Sequence, residues 1–200
     1  RHGHPKQIIT AAEAMLAAER PVFYIGGGAV TSGVDPAELI RVAEGLQMPV
    51  VTTLMAKGVF PDSHPLCLGL PGMHGSKAAN WAMHRADLLV ACGSRFDDRV
   101  TGKLSSFAPG AKVIHIDVDP AEIDKNRAAQ VPIVGSIELV IPKLADAVAS
   151  RQNGGPPRAA EWLETVQGWQ REFPGRYGRG GKLKPEYGIE RLRDLTAGED

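Results

Sequence analysis

The sequence has little that would tie the chain to a metal ion, a nucleic acid or a membrane. Its two cysteines, Cys67 and Cys92, form no C-x-x-C pair, so we predict no metal site and a reducing, cytoplasmic location. Acidic and basic residues balance at 23 each, which argues against a nucleic-acid or membrane-surface partner. No apolar run reaches the roughly 18 residues of a membrane span, and there is no signal-peptide pattern.

Apolar segments of strand length alternate with helical patterns along most of the chain. A hydrophobic content of 43% in 200 residues is enough for one substantial core. The strand candidates are apolar on both faces and occupy residues 21–25, 48–54, 87–93, 112–118 and 131–135. Such strands are typical of a parallel sheet with helices on both faces. We therefore predict an α/β fold with a doubly wound parallel sheet over about residues 5–150.

The tetrapeptide DPAE occurs twice after a strand candidate and predicts a helix start each time. Asp35 stands at the N-cap position, with Pro36 at the first helical position and Glu38 three residues after the cap. Residues 119–122 repeat this pattern, so we expect a second strand-to-helix junction there. Further helices are predicted over 7–19, after a Ser76 cap, over 159–173 and over 185–196.

The chain changes character after residue 150. Residues 151–158, RQNGGPPR, have the composition of a linker, and residues 174–185 are too rich in glycine and charge for a core element. We predict a domain over 1–150, a linker with one helix over 151–185, and a separate final segment over 186–200. The chain opens without a methionine and stops after a helical pattern, so we expect a piece of a longer protein.

Loops at the carboxyl ends of the strands are the candidate ligand site, because ligands of open parallel sheets bind there. Gly26, Gly27 and Gly28 would let a phosphate or a flat ligand approach the backbone, although a tight turn is the better explanation of this motif taken alone. Asp117 and Asp119 could bind ribose hydroxyls and cap a helix, or only favour the dipole of that helix.

The segment GSRFDDRVTG, residues 93–102, concentrates opposite charges after the third strand. In isolation it would be a solvated turn. Beside glycine-rich loops and an acid at one sheet edge, it favours a nucleotide. Arg95 and Arg99 could donate to phosphate or carboxylate, and Asp97 and Asp98 could orient them or accept from ligand hydroxyls. His74, alone in its loop, is better interpreted as a polar loop residue than as a catalyst.

Three longer motifs together point to a family. GMHG at 72–75, GSRFDDRVTGK at 93–103 and HIDVDPAEIDKN at 115–126 resemble the central domain of the large, catalytic subunit of acetohydroxyacid synthase, also called acetolactate synthase. With YIGGGAV at 24–30 and TTLMAKGVFP at 52–61, the resemblance covers about residues 5–150. This family belongs to the thiamine diphosphate enzymes, and residues 186–200 would begin its C-terminal, thiamine diphosphate-binding domain.

The resemblance implies an activity for the full-length protein. The family joins two pyruvates, or pyruvate and 2-ketobutyrate, with loss of carbon dioxide, in the biosynthesis of isoleucine, valine and leucine. Family members form homodimers or tetramers and associate with a small regulatory subunit. FAD would bind this domain without redox turnover, whereas thiamine diphosphate and magnesium would bind domains absent here. We therefore expect the isolated chain to be inactive.

The resemblance also implies the site residues. The flavin would contact Gly26, Gly27, Gly28, Thr53, Leu54, Met55, Met73, His74, Gly93, Arg95, Asp97, Arg99, Val100, Asp117 and Val118. Arg99 would in addition recognise the carboxylate of the second keto acid, and with Met73 and Asp98 it would border the region where herbicides bind. Ser136 stands where the family often has an acid near the flavin, so we expect one polar contact to be weakened or lost.

Two other interpretations remain open. The chain could come from another thiamine diphosphate enzyme, such as glyoxylate carboligase. It could also be a nucleotide-binding module without carboligase activity, similar to the cores of sirtuin deacylases and electron-transfer flavoproteins. The lack of paired cysteines disfavours the sirtuin alternative, and the RFDDRVTGK string disfavours electron transfer.

Overall fold

The computed structural model describes residues 1–152, 157–175, 178 and 182–196. The strands are β1 (Pro21–Ile25), β2 (Val50–Thr52), β3 (Leu88–Cys92), β4 (Lys112–Asp117) and β5 (Val131–Val134). The helices are α1 (Pro5–Ala17), α2 (Gly27–Ser32), α3 (Pro36–Leu46), α4 (Lys77–Arg85), α5 (Asp98–Thr101), α6 (Ile137–Ala149), α7 (Ala160–Glu172) and α8 (Pro185–Leu195). Each predicted strand is present.

The strands form one parallel sheet in the order β2-β1-β3-β4-β5. β1 is an interior strand: Tyr24 pairs with Val51 of β2 on one side and with Ala91 of β3 on the other. The chain leaves β1 toward β2 and later crosses back to β3, so the strand order reverses between β1 and β3. In doubly wound sheets, a crevice opens at this switch point beyond the carboxyl ends of the strands. The predicted α/β class is confirmed.

Hydrophobic layers cover both faces of the sheet. Phe23 and Ile25 contribute to a core with α1, α3 and α6, whereas Val22 and Tyr24 contribute to a second core with α4 and α7. Alternate residues of β1 therefore face opposite layers, as the pleat of a strand requires. Each fully buried large apolar side chain contributes about 1.5–3 kcal/mol, so these two layers hold the sheet in place.

The predicted helix caps are confirmed at two positions, but the helix predicted after the second DPAE is absent from residues 120–127. Oδ1 of Asp35 accepts a hydrogen bond from the Ala37 amide, 2.9 Å, at the start of α3, and Ser76 caps α4 in the same way. Asp119 caps as well, but residues 120–127 form turns and bends. Asp124 has a left-handed φ of 63°, which ends any helical geometry.

The chain returns to the core after the predicted linker. The Trp162 indole of α7 is buried and donates to the Pro21 carbonyl, 3.2 Å, at the start of β1. α8 buries none of its residues. Gly154, Gly155 and Pro156 of the predicted linker, and residues 197–200, lie outside the described residues. Among helices of the described ranges, none is both long and apolar enough to cross a membrane. The predicted domain boundaries stay predictions.

Candidate functional site

A cavity of about 760 Å³ lies at the switch point between β1 and β3. The structure places every residue of the predicted flavin site in its lining: Gly26, Gly27, Gly28, Thr53, Leu54, Met55, Met73, His74, Gly93, Arg95, Asp97, Arg99, Val100, Asp117 and Val118. The lining also includes eight residues outside that prediction: Tyr24, Val30, Thr31, Leu70, Pro71, Ser94, Asp119 and Glu122. Each of these lies within four residues of a predicted residue in the sequence, and this proximity is the signal that could have found them.

The glycines after β1 allow two loops of the chain itself to meet. A Cβ on Gly26 would lie 2.6 Å from the Ser94 Cα and would also meet the Gly93 carbonyl oxygen. A Cβ on Gly28 would lie 2.8 Å from the Gly93 Cα. Distances this short are not tolerated between a side chain and backbone atoms. Because glycine has no side chain, the loop after β1 can pack directly against the backbone of the loop after β3. This contact forms one wall of the cavity.

Large apolar side chains surround the cavity and face solvent. Met55 is 76% exposed and Met73 is 74% exposed, and Leu54 and Val118 are exposed as well. Clustered exposed apolar side chains at a concave site mark a ligand-binding or protein-binding surface. Beside the glycine backbone, this lining suits a ligand with a flat apolar part.

The charged segment that follows β3 lies along the cavity without tight internal ion pairs. The distance from Arg95 Nη2 to Asp97 Oδ2 is 3.9 Å, and that from Arg99 Nε to Asp98 Oδ1 is 3.8 Å. Both exceed hydrogen-bond distance, and all four side chains are more than half exposed. The guanidinium donors are therefore available to an anionic ligand.

Two segments meet beside Arg99. The Met73 amide donates a hydrogen bond to the Arg99 carbonyl, 3.2 Å, and a Cβ on Gly72 would clash with the same carbonyl oxygen. The side chain of Asn80 in α4 binds both backbone groups of Gly72. Its Oδ1 accepts from the Gly72 amide, 2.8 Å, and its Nδ2 donates to the Gly72 carbonyl, 2.9 Å. The structure thus brings Met73 and His74 next to Arg99, although they lie far from it in sequence.

Carboxylates line the cavity beyond β4. Asp117 is 9% exposed, and its Oδ1 accepts from the Asp119 amide, 2.9 Å. Glu122 Oε1 accepts from Lys125, 2.9 Å, while its Oε2 is buried without a hydrogen-bond partner among the described residues. The Thr53 hydroxyl is also buried without a hydrogen-bond partner among the described residues. Buried polar atoms normally have partners, so these oxygens are candidates for ligand contacts.

Ser136 uses its hydroxyl within its own helix. It donates to the Glu138 carboxylate at 2.6 Å at the start of α6, which lowers the pKa of Glu138. Ser136 does not line the cavity. Glu138 does not line the cavity either, so this pair supplies no polar group to it.

Two buried ionisable groups are held neutral: Tyr24, which lines the cavity, and Cys92, which precedes the lining residue Gly93. Burial raises the pKa of the Tyr24 phenol, and the negative charge of Asp97 raises it further. Burial also raises the pKa of the Cys92 thiol, with a smaller contribution from Asp117. In the described part of the chain, His, Cys, Asp and Glu form no group of three or more placed to hold a metal ion.

Comparison with known families agrees with this geometry. The model of the thiamine pyrophosphate enzyme central domain matches residues 8–144. The chain belongs to this family. This thiamine pyrophosphate enzyme central domain is 51% identical over 199 residues to the acetolactate synthase of Mycobacterium bovis, covering 98% of the chain and 32% of that protein.

Two further relatives carry related names. The probable acetolactate synthase large subunit of Methanocaldococcus jannaschii is 55% identical over 164 residues, 82% of this chain and 27% of that protein. The acetolactate synthase large subunit of Corynebacterium glutamicum is 44% identical over 191 residues, 94% of this chain and 30% of that protein. The predicted resemblance is confirmed. The chain spans about a third of the length of the curated relatives it matches.

Proposed function

We propose that the chain is the FAD-binding central domain of an acetolactate synthase. The full-length enzyme would condense two 2-keto acids with loss of carbon dioxide, in branched-chain amino acid biosynthesis. The observation that carries the proposal is a single cavity at the switch point of the sheet, lined by all the residues of the predicted flavin site. The identity to named acetolactate synthases supports the same substrate class.

The residues of the cavity fit FAD in their chemistry. When bound, FAD would supply a flat ring system, two linked phosphates and an adenosine, here without redox turnover. Met55 and Met73 offer apolar contact to the ring, and Arg95 offers donors to phosphate. Asp117 and Glu122 offer carboxylate oxygens to hydroxyl donors, and the free Oε2 of Glu122 supports this assignment.

Arg99 is proposed to recognise the carboxylate of the second 2-keto acid. Its guanidinium lines the cavity, is exposed and has no hydrogen bond to Asp98, so its planar fork remains available. Thiamine diphosphate and magnesium would be held by the N- and C-terminal domains of a homodimer or tetramer with a small regulatory subunit. We also propose a cytoplasmic location, supported by two buried, free cysteines.

Equilibrium dialysis of this chain with FAD tests the site. Saturable, micromolar binding is expected. Arg95→Ala and Asp117→Asn should each weaken it about ten- to a hundredfold, because each removes a charge-assisted contact. The asparagine keeps an acceptor for the Asp119 amide, so the turn after β4 is preserved. Lys112→Ala is the control, since it removes an exposed charge at the opposite end of β4.

Unchanged FAD affinity in both site variants would overturn the site assignment. The same purified chain, supplied with FAD, thiamine diphosphate and magnesium, should form no acetolactate from pyruvate. Turnover above background would show that the chemistry does not need the other domains and would refute the proposed division of labour.

A further inference from the structure

His115 is buried at a position where an apolar side chain would be expected. It lies on β4, is 1% exposed, and its Nε2 lies 2.9 Å from the carbonyl oxygen of Ser94. Because a carbonyl can only accept, the proton of the neutral imidazole must be on Nε2. The ring therefore donates to the backbone of the charged segment that follows β3.

The same ring supports a strained residue of that segment. Phe96 has a left-handed φ of 53°, an unfavourable conformation for an aromatic residue, and it is 2% exposed. Its ring packs edge-on against His115, with centroids 5.3 Å apart at 88°, and against Tyr24 at 5.6 Å. The phenyl ring is buried, whereas the neighbouring side chains of Arg95 and Asp97 are more than half exposed and line the cavity.

A second side chain holds the next carbonyl of the segment. Nδ2 of Asn126 donates to the Arg95 carbonyl at 2.9 Å. Two consecutive carbonyls, of Ser94 and Arg95, thus accept hydrogen bonds from side chains beyond the segment. The charged side chains of the segment contribute little to its order, because their mutual contacts are 3.8 Å or longer and exposed.

We propose that His115 and Asn126 are positioning residues that hold residues 94–101 in the conformation presenting Arg95, Asp97 and Arg99 to the cavity. Neither needs to touch the ligand. The effect on ligand affinity rests on the proposed FAD site, but the order of the segment itself does not.

Three substitutions at two histidines distinguish a positioning role from simple core filling. In His115→Gln, the side-chain amide nitrogen has the same number of bonds to Cα as Nε2 and can still donate to Ser94. His115→Phe keeps an aromatic ring but has no donor. His84→Gln is the matched control, because His84 is exposed on α4.

Hydrogen–deuterium exchange of residues 94–102 in this chain is the first measurement. Exchange should accelerate about tenfold or more in His115→Phe, because the Ser94 carbonyl loses its donor, and should stay near wild type in His115→Gln and His84→Gln. Asn126→Ala should accelerate exchange several-fold; Asn126 is half-buried, so this variant tests the proposal even if His115→Phe does not fold. Trypsin cleavage after Arg95 and Arg99 should rise in the same order.

FAD affinity, measured by dialysis on the same proteins, is the second measurement. We expect it to fall in His115→Phe and to be restored in His115→Gln. Wild-type exchange in folded His115→Phe and in Asn126→Ala, or a glutamine no better than phenylalanine, would overturn the proposal. So would an opened segment with unchanged FAD affinity. If wild type binds no FAD, the proposed function fails, while the exchange data still decide whether these residues order the segment.

Discussion

Replacing Arg99 should have little effect on the stability of this chain and a large effect on catalysis by the full-length enzyme. Its side chain is 83% exposed, and its Nε lies 3.8 Å from Asp98 Oδ1, beyond hydrogen-bond distance. Exposed ion pairs contribute about 0.2–1 kcal/mol even with good geometry. Arg99→Ala should therefore lower the free energy of unfolding of this chain by no more than about 0.5 kcal/mol, as urea denaturation will measure.

The effect on the full-length enzyme should be much larger. A guanidinium fork that pairs with a carboxylate contributes about 1.5–3 kcal/mol. Since 1.4 kcal/mol corresponds to about a factor of ten, use of the second 2-keto acid should fall about ten- to a hundredfold. Decarboxylation of the first substrate should change much less. Arg99→Lys keeps the charge without the planar fork and should recover part of the loss. Asp98→Asn should have a milder effect, because its contact is long.

Steady-state rates with pyruvate alone, and with pyruvate plus 2-ketobutyrate, measure this effect on enzyme shown to contain FAD. Arg95→Ala is the comparison variant: we expect it to weaken FAD binding without changing the product ratio at saturating FAD. Wild-type rates and a wild-type product ratio in Arg99→Ala would refute the reasoning and leave the charged segment as a solvated turn.

Three further predictions concern stability. Gly26→Ala should lower the free energy of unfolding by about 1–3 kcal/mol, because its Cβ would meet the loop after β3, whereas Gly45→Ala, with open space in α3, should raise it by about 0.5–1 kcal/mol. Burial lowers the pKa of His115 despite nearby carboxylates, so the unfolded chain binds a proton at this histidine before the folded chain does. The free energy of unfolding should therefore fall between about pH 7 and about pH 5, and it should fall less in His115→Gln. Trp162→Ala should cost about 3–5 kcal/mol, and the half-exposed Tyr187→Ala about 0.5 kcal/mol or less.

Urea denaturation followed by far-UV circular dichroism measures all three. Equal effects of the two glycine substitutions would contradict the loop-to-loop contact. An identical pH dependence in wild type and His115→Gln would show that this histidine does not contribute to it. A small cost of Trp162→Ala would show that α7 does not stabilise the domain.

The strands and most helix starts could be predicted from sequence because their signals are local. A strand buried on both faces leaves a continuous apolar run, as in residues 21–25 and 87–93. A cap needs only a side chain and the amides two or three residues later, as at Asp35 and Ser76. The prediction of a helix after the second DPAE was wrong: the Asp119 cap forms, but the left-handed backbone at Asp124 prevents a helix from continuing.

The site was only partly predictable. Parallel strands end at one sheet edge, so the sequence determined that Gly26, Arg95 and Asp117 would share that edge, and the family resemblance named their neighbours. Only the tertiary structure decided that β1 lies beside β3, because long-range pairing sets strand order. Only it showed that the glycine loop packs on protein backbone. His115 and Asn126 reach carbonyls 21 and 31 residues away, and the identity of such a partner depends on the folded path of the chain, which local residue patterns do not contain.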